Sequence, residues 1–357
     1  MRYRATMSFQ PFPRGDLATP ALVLDAAAMD RNIAAMAAFA VERGLKLRPH
    51  AKTHKSAEIA RRQIAAGAVG ICCAKLGEAE ALAAEGISDI HLTSPVVTAG
   101  GIARLTTLAA KITLSVVVDH PDNVRALAGC GAALFVDVDP GAHRTGVTSP
   151  EAAVAVARII GAIGGVQFYC GSEQHITLAA DRRAVLAERS AYLRTVLDAL
   201  DEAGIAVPVV TGGGTGSFAI DAELGVLSEL QAGSYIFLDR EYRDCELAGP
   251  AFEPALFVDS TVVSANTPGR VTIDAGLKAF AADAGVPVVW RGAKGRYAFM
   301  GDEQGALIGD ELPGLAGRVT LIPPHCDPTV NLYDHYWIVS GDAVAERWAV
   351  TARGRSA

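Results

Sequence analysis

The stretch Leu47-Arg-Pro-His-Ala-Lys-Thr-His-Lys55 places two lysines and two histidines within six residues, His50 to Lys55. A lysine is a nucleophile only when a neutral amine exists near pH 7, which requires burial or neighbouring positive charge. Arg48, Lys55 and the two imidazoles can supply that charge to Lys52. A solvated basic loop is the plain alternative for such a run. Far along the chain, Thr211-Gly-Gly-Gly-Thr-Gly-Ser-Phe218 and Gly233-Ser-Tyr235 have the small residues that let backbone N–H groups approach a phosphate. This glycine run lacks the lysine of a P-loop and the spacing of a dinucleotide fingerprint. Pro323-Pro-His-Cys-Asp327 offers a third chemistry. In an extended segment His325 and Asp327 face one side and Cys326 the other, so imidazole and carboxylate can share an ion. Zinc or manganese suits that pair, with magnesium or cobalt as further candidates; a rigid turn is the alternative. Amine, phosphate cradle and metal pair together point to pyridoxal 5′-phosphate beside a divalent metal.

Such groups need elements that end near one another. Strand patterns recur at Ala21–Leu24, the segment running into Arg48, Val69–Cys73, Asp89–Leu92, Ile112–Val118, Ala133–Val138, Val166–Tyr169, Val207–Val210 and Ser234–Phe237. Helical patterns lie between them at Met29–Val41, Ser56–Ala65, Leu76–Ala84, Gly101–Ala110, Asp122–Leu127, Pro150–Ile160, Leu178–Glu202 and near Ala222–Leu230. Strands alternating with helices predict a parallel sheet, and about eight repeats predict a closed (β/α)8 TIM barrel rather than an open doubly wound sheet. In such a barrel reactive residues gather just after the strands. Here those positions hold Lys52, the Asp139–Gly146 loop with Arg144, the Tyr169–His175 loop and the glycine run. After Cys245 helical patterns give way to alternating strands, which predicts a C-terminal β domain. The expected division is 17–245 for the barrel and 246–357, with 1–16 as a possible addition, for the β domain.

At 357 residues and half hydrophobic, the chain can bury a large core. A net charge of −7 and a pI near 5.6 argue against nucleic acid or an anionic membrane as partner and favour a small molecule. Met1–Asp16 has three arginines and two prolines but no apolar run of signal-peptide length, and no stretch reaches a membrane span, so a soluble cytoplasmic protein is expected. The six cysteines lack the spacing of a disulfide framework and read mostly as buried free thiols.

The chain resembles the D-threonine aldolase and D-serine dehydratase family, pyridoxal-phosphate enzymes with an alanine-racemase-like barrel. The marks are Thr19-Pro-Ala-Leu-Val-Leu-Asp25, Arg48-Pro-His-Ala-Lys-Thr-His-Lys55, Leu76-Gly-Glu-Ala-Glu80, Asp137-Val-Asp-Pro-Gly141 with Arg144-Thr-Gly146, Gln174-His175, Gly233-Ser-Tyr-Ile-Phe-Leu-Asp239, Asp274-Ala-Gly276 and Pro324-His-Cys-Asp-Pro-Thr329. The resemblance implies that Lys52 forms the Schiff base and that Arg144 and Tyr169 lie by the cofactor ring. It also implies that Thr215, Gly233, Ser234 and Tyr235 contact the phosphate, and that His325 and Asp327 hold the metal. Lys75, ending the third strand, would be a further cofactor contact, where a neutral polar residue is expected. The implied reaction is cleavage of a D-3-hydroxy-amino acid to glycine and an aldehyde, with His175 as base for the β-hydroxyl proton. Dehydratases of the family tend to show His-x-Cys, so Asp327 favours the aldolase; a dehydratase, a 3-hydroxy-D-aspartate aldolase and a non-catalytic cofactor carrier are the rivals. A homodimer is also implied.

Overall fold

The chain, described over residues 9–357 by a computed structural model, divides into two compact units. One comprises Asn32–Ile236, Glu241–Phe252 and Thr351–Ala357; the other comprises the described residues up to Arg31, Phe237–Arg240 and Glu253–Val350.

The first unit holds eight parallel strands: Lys46–Leu47, Ile71–Cys73, Asp89–Leu92, Thr113–Val118, Ala133–Val138, Gly165–Phe168, Val210–Gly212 and Glu229–Leu230. Consecutive strands pair, except that the ring passes from Lys46–Leu47 to Ile71–Cys73 through loop backbone: Val69 N donates to Leu47 O at 2.8 Å and Cys72 N to Pro49 O at 2.9 Å. On the opposite flank Lys46–Leu47 pairs with Glu229–Leu230. The expected closed barrel is therefore present. Its helices follow the sequence pattern closely, with Leu76–Ala84 and Pro150–Ile160 matching to the residue. Ser149 caps Pro150–Ile160 through Ala152 N, and proline opens that helix where its missing N–H costs nothing.

Every second strand residue faces the helices. Ile90, Leu92, Val116, Val138 and Val166 share one apolar core with Leu82, Leu105, Val156 and Leu193. The residues between them make a polar interior. His91 Nε2 donates to Gln167 Oε1 at 3.1 Å, and His91 Nδ1 accepts from Ser115 Oγ at 2.8 Å. Gln167 Nε2 donates to Asp137 Oδ1, Gln231 Nε2 to Thr211 Oγ1, and Thr211 Oγ1 to Glu229. Glu229 in turn holds Arg48. Polar groups at this depth persist only when paired, so the network sets strand register as well as filling space.

Three strand expectations are corrected. Ala21–Leu24 is not in the barrel: Ala21–Asp25 lies in the other unit's sheet, antiparallel to Leu256–Thr267 and parallel to His335–Ser340. Ser234–Phe237 is a 3-10 turn, Ser234–Ile236, because Gly233 and the loop behind it set the backbone rather than the apolar run. The eighth barrel strand is instead Glu229–Leu230, inside the segment read as helix near Ala222–Leu230; the helix there is Phe218–Leu224, ended by Gly225 in the left-handed conformation.

The second unit is a ten-stranded sheet. Phe12–Pro13 pairs with Ala343–Ala349, so part of the N-terminal segment belongs here; residues 1–8, on which the reading of the leader also falls, lie outside the described residues. The hairpin Lys294–Phe299 and Gly305–Glu311 was not expected, since its glycines and charges blur the alternation. All six cysteines are free, five of them buried. Among the described residues no helix is long and apolar enough to cross a membrane.

Burial and the nearby Arg48 charge push His91 down to about 3. Its folded value lies below the ordinary one, so neutral His91 favours folding near pH 7 and that contribution is lost as pH falls from 6.5 towards 3. Urea midpoints should therefore drop across this window. His91→Gln should flatten the slope by up to about 1.4 kcal/mol per pH unit, and an unchanged slope would show that His91 is not the group responsible.

Candidate active site

Lys52 lies in a single 3-10 turn, Ala51–Thr53, directly after the first barrel strand, and is half-buried. Its own N–H donates to His50 Nδ1 at 3.3 Å. His50 Nε2 meets Thr93 Oγ1 at 3.0 Å, and that hydroxyl donates to the Cys73 carbonyl. The proton therefore sits on Nε2, and His50 is neutral. His54 Nδ1 likewise accepts, from Ser56 N. Lys55 is paired with the buried Glu78, and Arg48 with Glu229 and Asp89. The positive field expected around Lys52 is thus largely compensated: the histidines are acceptors and the other cations have carboxylates. What singles out Lys52 is its place at the barrel rim.

That rim brings together parts far apart in sequence. Thr53 Oγ1 and Ser234 Oγ are 3.3 Å apart, and a Cβ at Gly233 would fall 2.7 Å from both His50 O and Thr53 Oγ1. Only glycine lets these two loops meet. Tyr235 N donates to Thr215 Oγ1 at 2.9 Å, which ties the glycine loop to the same turn. Tyr235 points its ring inward, where its hydroxyl accepts from Gln63 Nε2, so any phosphate contact from this residue is through its backbone. Two hydroxyls, of Thr215 and Ser234, and main chain too tight for a side chain form a cradle one turn from Lys52. These residues fit the phosphate of pyridoxal 5′-phosphate.

The loop after Val138 is folded by Asp139, whose Oδ1 accepts from the N–H groups of Gly141, Ala142 and His143. It presents Arg144 over the Tyr169 ring, 5.7 Å from its centroid. Lys75 is exposed at the N-cap of Leu76–Ala84, and its N–H donates to Glu78 Oε2 at 3.2 Å. His175 ends the 3-10 turn Ser172–His175. Its ring packs on Tyr242 with centroids 4.8 Å apart, and its Nε2 lies 4.0 Å from Glu241 Oε2. Gln174, fully buried, bonds Cys170 O, Ser217 Oγ and Gly216 N, stitching this turn to the glycine loop.

In the β unit the metal motif is not extended, which corrects the alternation argument. Cys326–Val330 is a helical turn with His325 at its N-cap, because Asp239 Oδ2 accepts the Cys326 N–H at 2.7 Å and Pro328 is tolerated in a first turn. His325 Nδ1 meets Asp283 Oδ2 at 2.7 Å. A carboxylate on one ring nitrogen is the arrangement that orients a metal-ligating imidazole to use the other. Among the described residues no group of three or more His, Cys, Asp or Glu is arranged to hold an ion. Glu241, Tyr242, Gln174 and Asp283 had no sequence signal beyond their types; only Gln174 stood in a quoted motif.

Two family models match: alanine racemase, N-terminal domain, over residues 24–241, and a putative serine dehydratase domain over residues 255–339. The D-threonine aldolase of Arthrobacter sp. is 41% identical across 97% of this chain and 95% of its own length. The chain belongs to the D-threonine aldolase family. Another member, the 3-hydroxy-D-aspartate aldolase of Paracoccus denitrificans (strain Pd 1222), is 37% identical across 95% of this chain and 93% of its own. The crystal structure of D-threonine aldolase from Filomicrobium marinum superposes with a TM-score of 0.93 at 36% identity, covering 96% of this chain and 97% of that one.

Beneath the family's glycine loop, the carboxylate of Asp221 is buried and pushed up to about 7, with the Ser217 hydrogen bond opposing the shift. A raised folded value means that the protonated acid favours folding at low pH and the contribution is lost as pH rises towards 7. Asp221→Asn should stabilise the protein more at pH 8 than at pH 5, by a margin on the order of 1 kcal/mol. Thermal melts at the two pH values check this; equal gains would mean Asp221 does not change protonation between them.

Proposed function

We propose that this chain is a pyridoxal-phosphate- and divalent-metal-dependent aldolase that cleaves D-3-hydroxy-amino acids of the D-threonine type to glycine and an aldehyde. The observation that carries the reading is the meeting of the Lys52 turn with Gly233 and Ser234 in a chain with aldolase relatives along nearly its whole length. Lys52 Nζ would hold the cofactor covalently and release it to the substrate amine. Thr215, Gly233, Ser234 and the Tyr235 backbone would hold its phosphate, with Arg144 and Tyr169 beside its ring. When bound, pyridoxal phosphate supplies a conjugated system that accepts the electron pair left as Cα–Cβ breaks. His175 takes the β-hydroxyl proton, so that the oxygen's electrons can form the aldehyde carbonyl. His325 and Asp327 would hold a divalent ion, manganese or zinc, which would supply Lewis acidity towards a hydroxyl. Lys75 is retained as a further cofactor contact. The reading extends to a homodimer in the cytoplasm, on the strength of the family and the acidic, span-free sequence.

The rival within the class is dehydration, which would take the Cα proton and expel hydroxide. Asp327, where thiolate would mark the dehydratases, favours cleavage. With D-threonine, pyridoxal phosphate and manganese, glycine and acetaldehyde are expected; 2-oxobutyrate and ammonia would replace this reading with the dehydratase. Borohydride should fix the cofactor's mass on the Lys52 peptide. His175→Ala should keep the cofactor's absorbance and lose about 10²- to 10⁴-fold in cleavage rate, and full activity in that variant would remove His175 from the mechanism.

A further inference from the structure

The barrel is not laddered evenly. Among the described residues, Lys46–Leu47 and Ile71–Cys73 are joined by the isolated bridge of His50 with Cys72 and by loop bonds from Val69 N to Leu47 O and from Cys72 N to Pro49 O, rather than by a strand ladder. This seam leads directly into the Lys52 turn. A side-chain pair crosses it at the rim: Lys55 Nζ is ion-paired with Glu78 Oε1, and both residues are buried. The other oxygen, Glu78 Oε2, accepts from Ala74 N at 3.0 Å and Lys75 N at 3.2 Å, the two amides that follow Ile71–Cys73. One carboxylate therefore ties the loop after the first barrel strand to the loop after the second. Lys55 also closes the turn that bears Lys52, its N–H donating to Ala51 O at 2.7 Å. It does so at a φ of 50°, a left-handed conformation that glycine adopts without the penalty a side chain brings. Glycine would serve that backbone better, so the presence of lysine points to what its side chain does. A buried ion pair is a weak source of stability, because desolvation offsets much of the attraction, and its better use is to fix how two segments lie.

We propose that Glu78 is a positioning residue for Lys52: through Lys55 it spans the seam and holds the lysine turn against the cradle of Thr215, Gly233 and Ser234. This deepens the aldolase reading and rests on Lys52 carrying the cofactor. The turn is held on two flanks. On one, Thr53 Oγ1 lies 3.3 Å from Ser234 Oγ, and Gly233 sits too close to His50 and Thr53 for a side chain. On the other stands the Lys55–Glu78 pair, in place of the strand ladder that the seam lacks. Without the pair the second flank is loose, and the turn no longer has a single distance from the cradle. A cofactor anchored at its phosphate and at a lysine needs one spacing between the two, so a loose turn weakens its retention and slows the reaction.

The test separates positioning from stability. The double variant Lys55→Gly, Glu78→Gln buries no unpaired charge, relieves the left-handed position, and keeps a side-chain oxygen for the Ala74 and Lys75 amides. Its apoprotein should melt within about 4 °C of the wild-type apoprotein. Pyridoxal phosphate, followed by its absorbance, should nevertheless bind about tenfold more weakly and leave faster on dilution. With the cofactor in excess, kcat on D-threonine should fall about tenfold while KM changes less than about twofold. Wild-type retention and kcat in this variant would overturn the proposal, as would a loss of retention matched by an equal loss of apoprotein stability. Should the double variant not fold, Glu78→Asp decides: it keeps the charge but draws the carboxylate back by one methylene, and retention should fall about threefold. Wild-type retention there would overturn the proposal. Borohydride keeps the two readings apart. Cofactor mass missing from the wild-type Lys52 peptide would remove the aldolase chemistry and this proposal together, whereas mass present there with retention unchanged in the variants removes the role of Glu78 alone.

Discussion

The barrel's closure is the constraint on which the site depends. Two residues of strand, Lys46–Leu47, are flanked by Glu229–Leu230 on one side and, through loop backbone, by the strand that starts at Ile71 on the other. Because the ring closes there, the turn that carries Lys52 arrives beside the loop that carries Gly233 and Ser234, from the far end of the barrel sequence. The contact leaves no room for a side chain at Gly233. An amine and an anion cradle are thus juxtaposed by the geometry of a closed sheet rather than by any local motif.

The polar barrel interior belongs to the same constraint. Arg48, two residues before His50, is held by Glu229, which begins the strand leading to Gly233, so one ion pair ties both halves of the cradle at their base. Thr211, Gln231, Gln167 and His91 carry the connection across the lumen. An apolar filling could pack the same volume, but it would leave strand register to shape alone; directional bonds specify which residues lie opposite. The compensation of Arg48 and Lys55 by carboxylates has a chemical side as well. The field at Lys52 is less positive than a reading of its neighbours implies.

The rim is also where the chain spends its irregular backbone. The Asp139 loop, the 3-10 turns at Ala51–Thr53, Ser172–His175 and Ser234–Ile236, and the glycine run all follow barrel strands. Each is held by side-chain bonds to main chain: Asp139 to three amides, Gln174 to the glycine loop, Thr215 to Tyr235. Such loops position functional groups without the regular ladder that would fix them elsewhere, and buried polar side chains take over that task.

Much of this was legible in the chain itself. Strand and helix alternation predicts a closed barrel because each repeat must bury one apolar face, and that pattern is local. The change of texture after Cys245 marks the β unit for the same reason. The lysine, the glycine run and the His-Cys-Asp triplet stand out as candidates by residue type. Other features were decided by tertiary structure. Ala21–Leu24 reads as a barrel strand but lies in Ala21–Asp25 of the other sheet, since a short apolar run fits either and only its pairing partners choose. Glu229–Leu230 is too short to signal and exists because its neighbours need an eighth strand. The helical turn at Cys326 depends on Asp239, far away in sequence. Glu241 and Tyr242 gather around His175 by long-range packing that leaves no periodic trace. Sequence encodes which groups are present and which faces are apolar; distances between groups on different elements arise only when the elements pack.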